Sequence, residues 1–310
     1  MLRTENLTKR FGSLIAVDNL SIEVRAGEVF GFLGPNGSGK STTVGMALNL
    51  IRPTAGRIEV FGGAPWQHQA LLARQVGAII ESPAFYPYLS GRDNLRAIAL
   101  AAGGVPEGRI DELLTMVGLA ERAGSRYKTY SLGMKQRLGI ASILLTDPSL
   151  VILDEPTNGL DPAGQREIRD LIPRLAREGR AVFLASHMLH EVEQVCDRVA
   201  IIRRGRLVEF GTVRELLRRG GYIEIAVAEA EQAAAVLREL PIVERVTVED
   251  GRLAVTAPDD SGPALNRALA EAGLYAGLIV PRRSTLEDVF LELTEPASER
   301  VDTHDGAAAQ

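Results

Sequence analysis

Residues 34–42 read GPNGSGKST, and no other run in the chain constrains its fold and chemistry as tightly. The pattern is Gly-x-x-x-x-Gly-Lys-[Ser/Thr], filled by Gly34, Gly39, Lys40 and Ser41. The preceding residues 28–33 (EVFGFL) are apolar enough for a buried strand, and residues 41–50 suit a helix, so the loop lies between the two elements its mechanism needs. Glycines let consecutive backbone N–H groups turn toward one phosphate. The helix N-terminus adds roughly half a positive charge. Lys40 brings a whole charge to the β- and γ-phosphates, and the Ser41 hydroxyl is a ligand for Mg²⁺. Pro35, Asn36, Gly37, Ser38 and Thr42 complete the expected cradle. With 31 glycines but only four lysines among 310 residues, chance would produce the pattern in about four such chains per thousand. The loop is therefore read as a nucleoside triphosphate site.

The remaining composition mainly excludes. A chain of this length buries a full core and has room for two domains. Its 45% hydrophobic and 24% charged residues are those of a soluble globular protein. The net charge of −5 argues against a nucleic-acid partner. Cys196 stands alone, so no intrachain disulfide is expected, and its expected role is packing on a helix. Arg3 and Glu5 fall where the apolar run of a secretory leader would lie. The longest stretch without Asp, Glu, Lys or Arg, residues 60–73, is shorter than the ~20 residues a bilayer span requires. Any role at a membrane is expected to run through a partner.

Periodicity divides the chain. Residues 2–7, 21–24, 28–33 and 57–61 read as short strands punctuated by Ala-Gly pairs. Helical spacing over 94–102, 110–117 and 132–145 suggests an inserted helical lobe. Alternation then returns, with strands at 150–153, 181–185 and 199–202 and helices at 162–177 and 189–197, which implies an α/β fold with a parallel sheet. A boundary is placed at 218–219. Beyond it the order strand 222–227, helix 230–240, strands 243–248 and 252–256, helix 263–272 and strand 277–280 predicts a small βαββαβ, α+β domain over 219–295, closed by a short helix at 285–294. Residues 296–310 are small and polar, and a disordered tail is expected there.

Three further segments converge on the phosphate loop. Residues 150–155 read LVILDE, so Asp154 and Glu155 emerge at the carboxyl end of a buried strand, where open α/β sheets bind ligands. One carboxylate there can serve Mg²⁺ and the other can orient or deprotonate water; the bland reading is two solvated acids at a strand end. His187 ends the strand AVFLAS, and a neighbouring parallel strand would bring it beside Glu155. A lone histidine at a strand end is usually structural, but the carboxylates make a γ-phosphate or water contact the better reading. Residues 130–137 read YSLGMKQR, with Ser131 a good N-cap and Gly133 allowing close approach. By itself this is either a capped helix or an anion-binding helix end.

Taken in order, the phosphate loop, YSLGMKQR, LVILDEP, NGLD (158–161) and His187 resemble the ATP-binding cassette (ABC) ATPases over residues 1–218. The resemblance implies the P-loop ABC ATPase fold, with an antiparallel β subdomain and a helical lobe. It also implies that Phe11 stacks on adenine and that Glu81 takes the place of the family's glutamine, near Mg²⁺ or water. Two copies would dimerise head to tail, with Ser131 and Gly133 of one sandwiching ATP on the loop of the other and Asp161 bridging the sites. A separate permease would be the membrane partner, which places the protein on the cytoplasmic face. YSLGMKQR departs from the family signature LSGGQ-x-Q-R at Leu132 and Met134. These departures, Glu81 and the ending STLEDVFLELT resemble the exporter subgroup tied to antibiotic and bacteriocin-type peptide resistance. Polysaccharide and lipid exporters share some of these features. A non-transport ATPase of the same fold is the rival class, disfavoured by the charge, by the single ATPase core and by the lack of a long coiled-coil insertion.

Overall fold

The computed structural model describes residues 1–80, 83–219, 221–258, 260–282 and 284–294. The chain forms two compact units, Met1–Thr212 and Val213–Gln310. In the first, β1 (Leu2–Phe11), β2 (Leu14–Leu20), β3 (Glu23–Val24) and β4 (Val29–Leu33) lead into α1 (Lys40–Ala47), β5 (Ala55–Val60), α2 (Gln69–Gln75) and β6 (Val76–Ile80). The helices α3 (Gly91–Ala101), α4 (Arg109–Met116) and α5 (Leu132–Ile143) follow. Then come β7 (Leu150–Asp154), α6 (Pro162–Arg177), β8 (Ala181–Ser186), α7 (Leu189–Val195), β9 (Arg198–Arg203) and β10 (Arg206–Thr212).

The main sheet has the order β10-β9-β4-β8-β7-β6, parallel from β9 to β6 with β10 antiparallel at the edge. Every residue of β4, β7 and β8 is buried, the pattern of a parallel sheet covered on both faces. Because β4 lies between β9 and β8, the loop after it opens at the middle of the sheet, and β7 brings its own carboxyl end alongside β8. A smaller antiparallel sheet is built on β1, which pairs with β2, β3 and β5. Its inward residues Leu2, Leu7, Leu20 and Ile58 join Phe30, Phe32 and Phe183 of the main sheet in one apolar cluster.

The lobe of α3, α4 and α5 is held by buried polar contacts as well as by leucines. Asn94 is buried and bonds the Tyr86 N–H at 2.8 Å and the Ser90 carbonyl at 3.0 Å. Tyr130 packs against Gly91 and donates its hydroxyl to the Arg122 carbonyl at 2.7 Å; burial raises its phenol above the usual tyrosine range. This anchors the residue before Ser131. Tyr86 and Tyr88 are exposed, whereas Phe85 packs on Tyr127 with ring centroids 5.1 Å apart.

The sequence reading misses β2, α2 and β10. β2 is half-exposed and its polar interruptions hide the alternation; α2 is too short for helical periodicity to register. β1 also runs four residues further than expected, since residues 9–11 pair with β2.

The second unit begins with α8 (Val213–Arg219), ahead of the boundary read at 218–219; α8 packs against the last helix of the same unit. β11 (Tyr222–Val227), α9 (Ala230–Arg238), β12 (Arg245–Glu249), β13 (Arg252–Thr256), α10 (Gly262–Glu271), β14 (Ala276–Arg282) and α11 (Leu286–Thr294) complete it. The antiparallel order β12-β13-β11-β14 is that of a βαββαβ, ferredoxin-like layer. Ile223, Ile225, Leu253 and Val255 face α9 and α10 with Leu237, Leu265 and Leu269. Glu224, on the opposite sheet face by alternation, is held by Arg252 and Arg282, whose guanidinium groups lower its pKa. The segment 296–310, expected to be a tail, lies outside the described residues.

Candidate functional site

The site grows from the turn between β4 and α1. Gly39 has φ +109°, and a Cβ there would lie 2.5 Å from the Ala16 carbonyl oxygen, so only glycine fits where the loop meets β2. α1 starts at Lys40 with no side chain capping it. Lys40 is 6% exposed; its Nζ donates to the Gly34 carbonyl at 2.7 Å and lies 3.3 Å from Glu155 Oε1. Charge and loop are thus pre-assembled.

Asp154 ends β7 and is buried. Glu155 follows at φ +51°, an uncommon conformation for a residue with a Cβ, held by its N–H bond to the Ala185 carbonyl at 2.9 Å. That turn aims the carboxylate across the strand ends: Oε1 faces Lys40, while Oε2 accepts from His187 Nδ1 at 2.8 Å and lies 3.3 Å from the His187 backbone nitrogen. Lys40, Glu155 and His187 form one line from a cation through a carboxylate to a half-exposed imidazole.

An open cleft of about 880 Å³ is lined by Lys40 and Glu155 of this line, while His187 is not among its lining residues. Of the residues singled out in the sequence, Phe11, Asn36, Gly37, Gly39, Lys40, Ser41, Thr42, Asp154 and Glu155 line it. Gly34, Pro35 and Ser38 form the loop beneath; the Gly34 N–H reaches the Ser186 carbonyl at 3.3 Å. Phe11 presents a 48% exposed ring at one end, with Lys9 Nζ 4.8 Å from its centroid. Ser131, Gly133 and Asp161 are not among the lining residues. Ser131 caps α5 by accepting from the Met134 N–H at 3.2 Å, and Asp161 caps α6 by accepting from the Gly164 N–H at 3.0 Å. Glu81 lies outside the described residues.

The cleft also uses residues that sequence reasoning misses: Leu14, Ile15 and Ala16 of β2, Leu132 and Gln136 of α5, Asn158, and Arg204 at the β9–β10 turn. Finding β2 would reveal the first three. Leu132, Gln136 and Asn158 lie in YSLGMKQR and NGLD, which mark their segments without assigning these residues to the cleft; nothing local marks Arg204. Buried Thr157 hydrogen-bonds buried Glu191 of α7, tying the segment after Glu155 to the helix after His187.

The chain is 40% identical to the uncharacterised ABC transporter ATP-binding protein YhcH of Bacillus subtilis (strain 168), over 97% of this chain and 98% of that one. It belongs to the ABC transporter ATP-binding proteins. The family profile described as ABC transporter matches residues 17–158, which include the phosphate loop, YSLGMKQR and Asp154-Glu155. The chain is also 40% identical to the bacitracin transport ATP-binding protein BcrA of Bacillus licheniformis, over 94% of this chain and 97% of the relative. A solved ATP-binding subunit of an ABC transporter superposes with a TM-score of 0.63 at 30% identity, covering 71% of this chain and 92% of its own. As an ABC ATP-binding subunit, the chain binds ATP and is an ATPase. Among the described residues, no helix is long and apolar enough to cross a membrane.

Proposed function

We propose that this ABC subunit powers the export of an antibiotic or peptide through a separate permease at the cytoplasmic face of the membrane. The cargo class is supported by the relative named for bacitracin transport and by the likeness running into the second unit: 94–97% coverage exceeds what the first unit alone supplies. Exposed Tyr86 and Tyr88 on the helical lobe suit a protein partner, being apolar bodies with a polar tip.

The reading of the chemistry rests on the contacts of Glu155. In the structure its two oxygens are divided between Lys40 and His187. A bound triphosphate offers Lys40 a stronger anion, so the Lys40–Glu155 contact loosens and Oε1 becomes available to a water at the γ-phosphate. His187 holds Oε2 and orients the carboxylate, and its half-exposed ring can reach the same phosphate. Glu155 is then the base or water-positioning group, with Lys40 and the loop amides neutralising developing charge.

Mg²⁺ fits the oxygen donors present. The Ser41 hydroxyl and the Asp154 carboxylate line the cleft and would complete its shell, with Glu81 as a third candidate. When bound, the ion neutralises charge on the β- and γ-phosphates.

Two copies would share each site. Ser131, Gly133 and Asp161 are not among the residues lining the cleft of their own chain; a head-to-tail dimer would give Ser131 and Gly133 a phosphate from the other chain and let Asp161 bridge the two sites. The deciding test is Glu155→Gln, which keeps size and removes basicity. Turnover should fall by about 10²–10⁴ with ATP binding intact, and ATP should then hold a dimer visible by size exclusion. Near-normal turnover would remove Glu155 from the role.

A further inference from the structure

Arg204 sits at the tip of the β9–β10 hairpin and lines the nucleotide cleft. Arg203 and Arg206 are paired across the two strands, so the loop is two residues long; Arg204 has φ +50° and Gly205 φ +80°. Positive φ at both positions marks the type I′ turn that right-twisted strands favour, and Asn, Asp and Gly are the residues that fill its first position with least strain. A long cation stands there instead. Strain at a ligand-facing position is a reason to ask what the side chain does.

The tip is fixed against the nucleotide-binding machinery. The Gly205 N–H donates to the Ser38 carbonyl of the phosphate loop at 2.9 Å, and its carbonyl accepts from the Asp18 N–H at 2.8 Å. A Cβ on Gly205 would lie 2.8 Å from the Ala16 oxygen, the same oxygen that faces Gly39. Arg204 is thereby held where β2 meets the loop, in a wall of the cleft that Phe11 and Lys40 also line. Neighbouring Arg206 is committed to Asp18 at 2.8 Å, whereas Arg204 has no hydrogen-bond or ion-pair partner among the described residues. Lys40, the other cation lining the cleft, is engaged with Glu155 and the Gly34 carbonyl.

A nucleotide with its base on Phe11 and its terminal phosphates over Lys40 must pass its ribose and α-phosphate along this wall. Of those two groups only the phosphate is charged, and an uncommitted guanidinium matches it as a forked donor. We infer that Arg204 binds the α-phosphate of the nucleotide, as a third anchor between the stacked base and the phosphate loop.

Arg204→Asn in the full chain is the informative variant, because asparagine suits the turn. The melting temperature of the nucleotide-free protein should hold or rise. Affinities for ATP and ADP should both fall by the same factor, about three- to tenfold for an exposed charge-assisted contact, and the difference from wild type should shrink with added salt. Arg204→Lys should lie between. Unchanged affinity for both nucleotides overturns the inference and leaves Arg204 a solvated hairpin tip. A loss confined to ATP would move the contact to the γ-phosphate and overturn it as well. So would a loss that vanishes with 2′-deoxy-ADP, since that would assign the arginine to the ribose hydroxyl. A lower melting temperature with a matching loss of binding would mean the arginine serves folding alone.

Discussion

Three helix N-termini bear residues assigned to the proposed chemistry, and they are finished differently. α1 begins at Lys40 behind a left-handed glycine, and no side chain closes its end. α5 and α6 are closed by their own residues: Ser131 accepts from Met134 and Asp161 from Gly164. An uncapped end leaves backbone donors to be met by water or a ligand. A capped end is already provided for, and a ligand there is an addition. α1 is therefore built to take an anion in a single chain. Ser131 uses only its oxygen in the cap, so its O–H hydrogen can be donated to a phosphate supplied from elsewhere. In the proposed head-to-tail dimer, the difference would separate a group that binds ATP within one chain from a group that completes another chain's site.

The largest expected effects break this comparison apart. Lys40→Ala should lower the ATP affinity of the isolated chain by about 10²-fold or more, since a buried charge-assisted contact disappears. Ser131→Arg should leave that affinity unchanged and lower turnover by at least about 10²-fold, because the added bulk and charge meet the opposing nucleotide. Mixing the two variants is sharper. In a mixed dimer one site carries both defects and the other neither, so part of the activity returns if each site can fire alone. Ser131→Arg that binds and turns over ATP like the wild type would mean that α5 is a capped helix and nothing more.

An intermediate effect tests whether the cleft is anchored within one chain. Phe11 belongs to the same chain's site as Lys40, and base stacking on an exposed aromatic is worth roughly 1–2 kcal/mol. Phe11→Ala should weaken ATP and ADP alike by about five- to thirtyfold in an equilibrium titration, without altering how Ser131 variants behave. Equal affinity in wild type and variant would detach the ring from the base.

How far the sequence reveals all this follows from the physics of each part. Buried parallel strands are continuous apolar runs, so β4, β7 and β8 are readable, and α6 is located at 162–177 because Asp161-Pro162 starts it and Gly179 ends it. The phosphate loop is readable because its function demands glycines and one lysine at fixed spacing. β2 is missed because a half-exposed strand tolerates polar interruptions, and with it went Ile15 and Ala16 of the cleft wall. Arg204 could not be found locally: its place depends on β9 lying next to β4, which is a property of sheet order. The cap roles of Ser131 and Asp161 concern their own helices. The second role proposed for them concerns another chain, and a sequence reaches that only through resemblance.

The smallest effect decides what Asp161 contributes. Its carboxylate caps α6, and loss of an N-cap acceptor costs about 1 kcal/mol, so Asp161→Ala should lower stability by that amount in a denaturant titration. Asparagine keeps an acceptor in nearly the same place and removes the charge. Asp161→Asn should therefore unfold like the wild type, within a few tenths of a kcal/mol. If the carboxylate also bridges the two nucleotide sites, as the head-to-tail arrangement requires, this stable variant should still lose turnover by several-fold, with the ATP affinity of the single chain unaffected. The two substitutions thus pull apart a property of one helix from a property of the pair. Wild-type turnover in Asp161→Asn would make Asp161 a cap alone, place α6 beside the ordinary helix ends of this fold, and leave Ser131 and Gly133 as the only residues proposed to act across the interface.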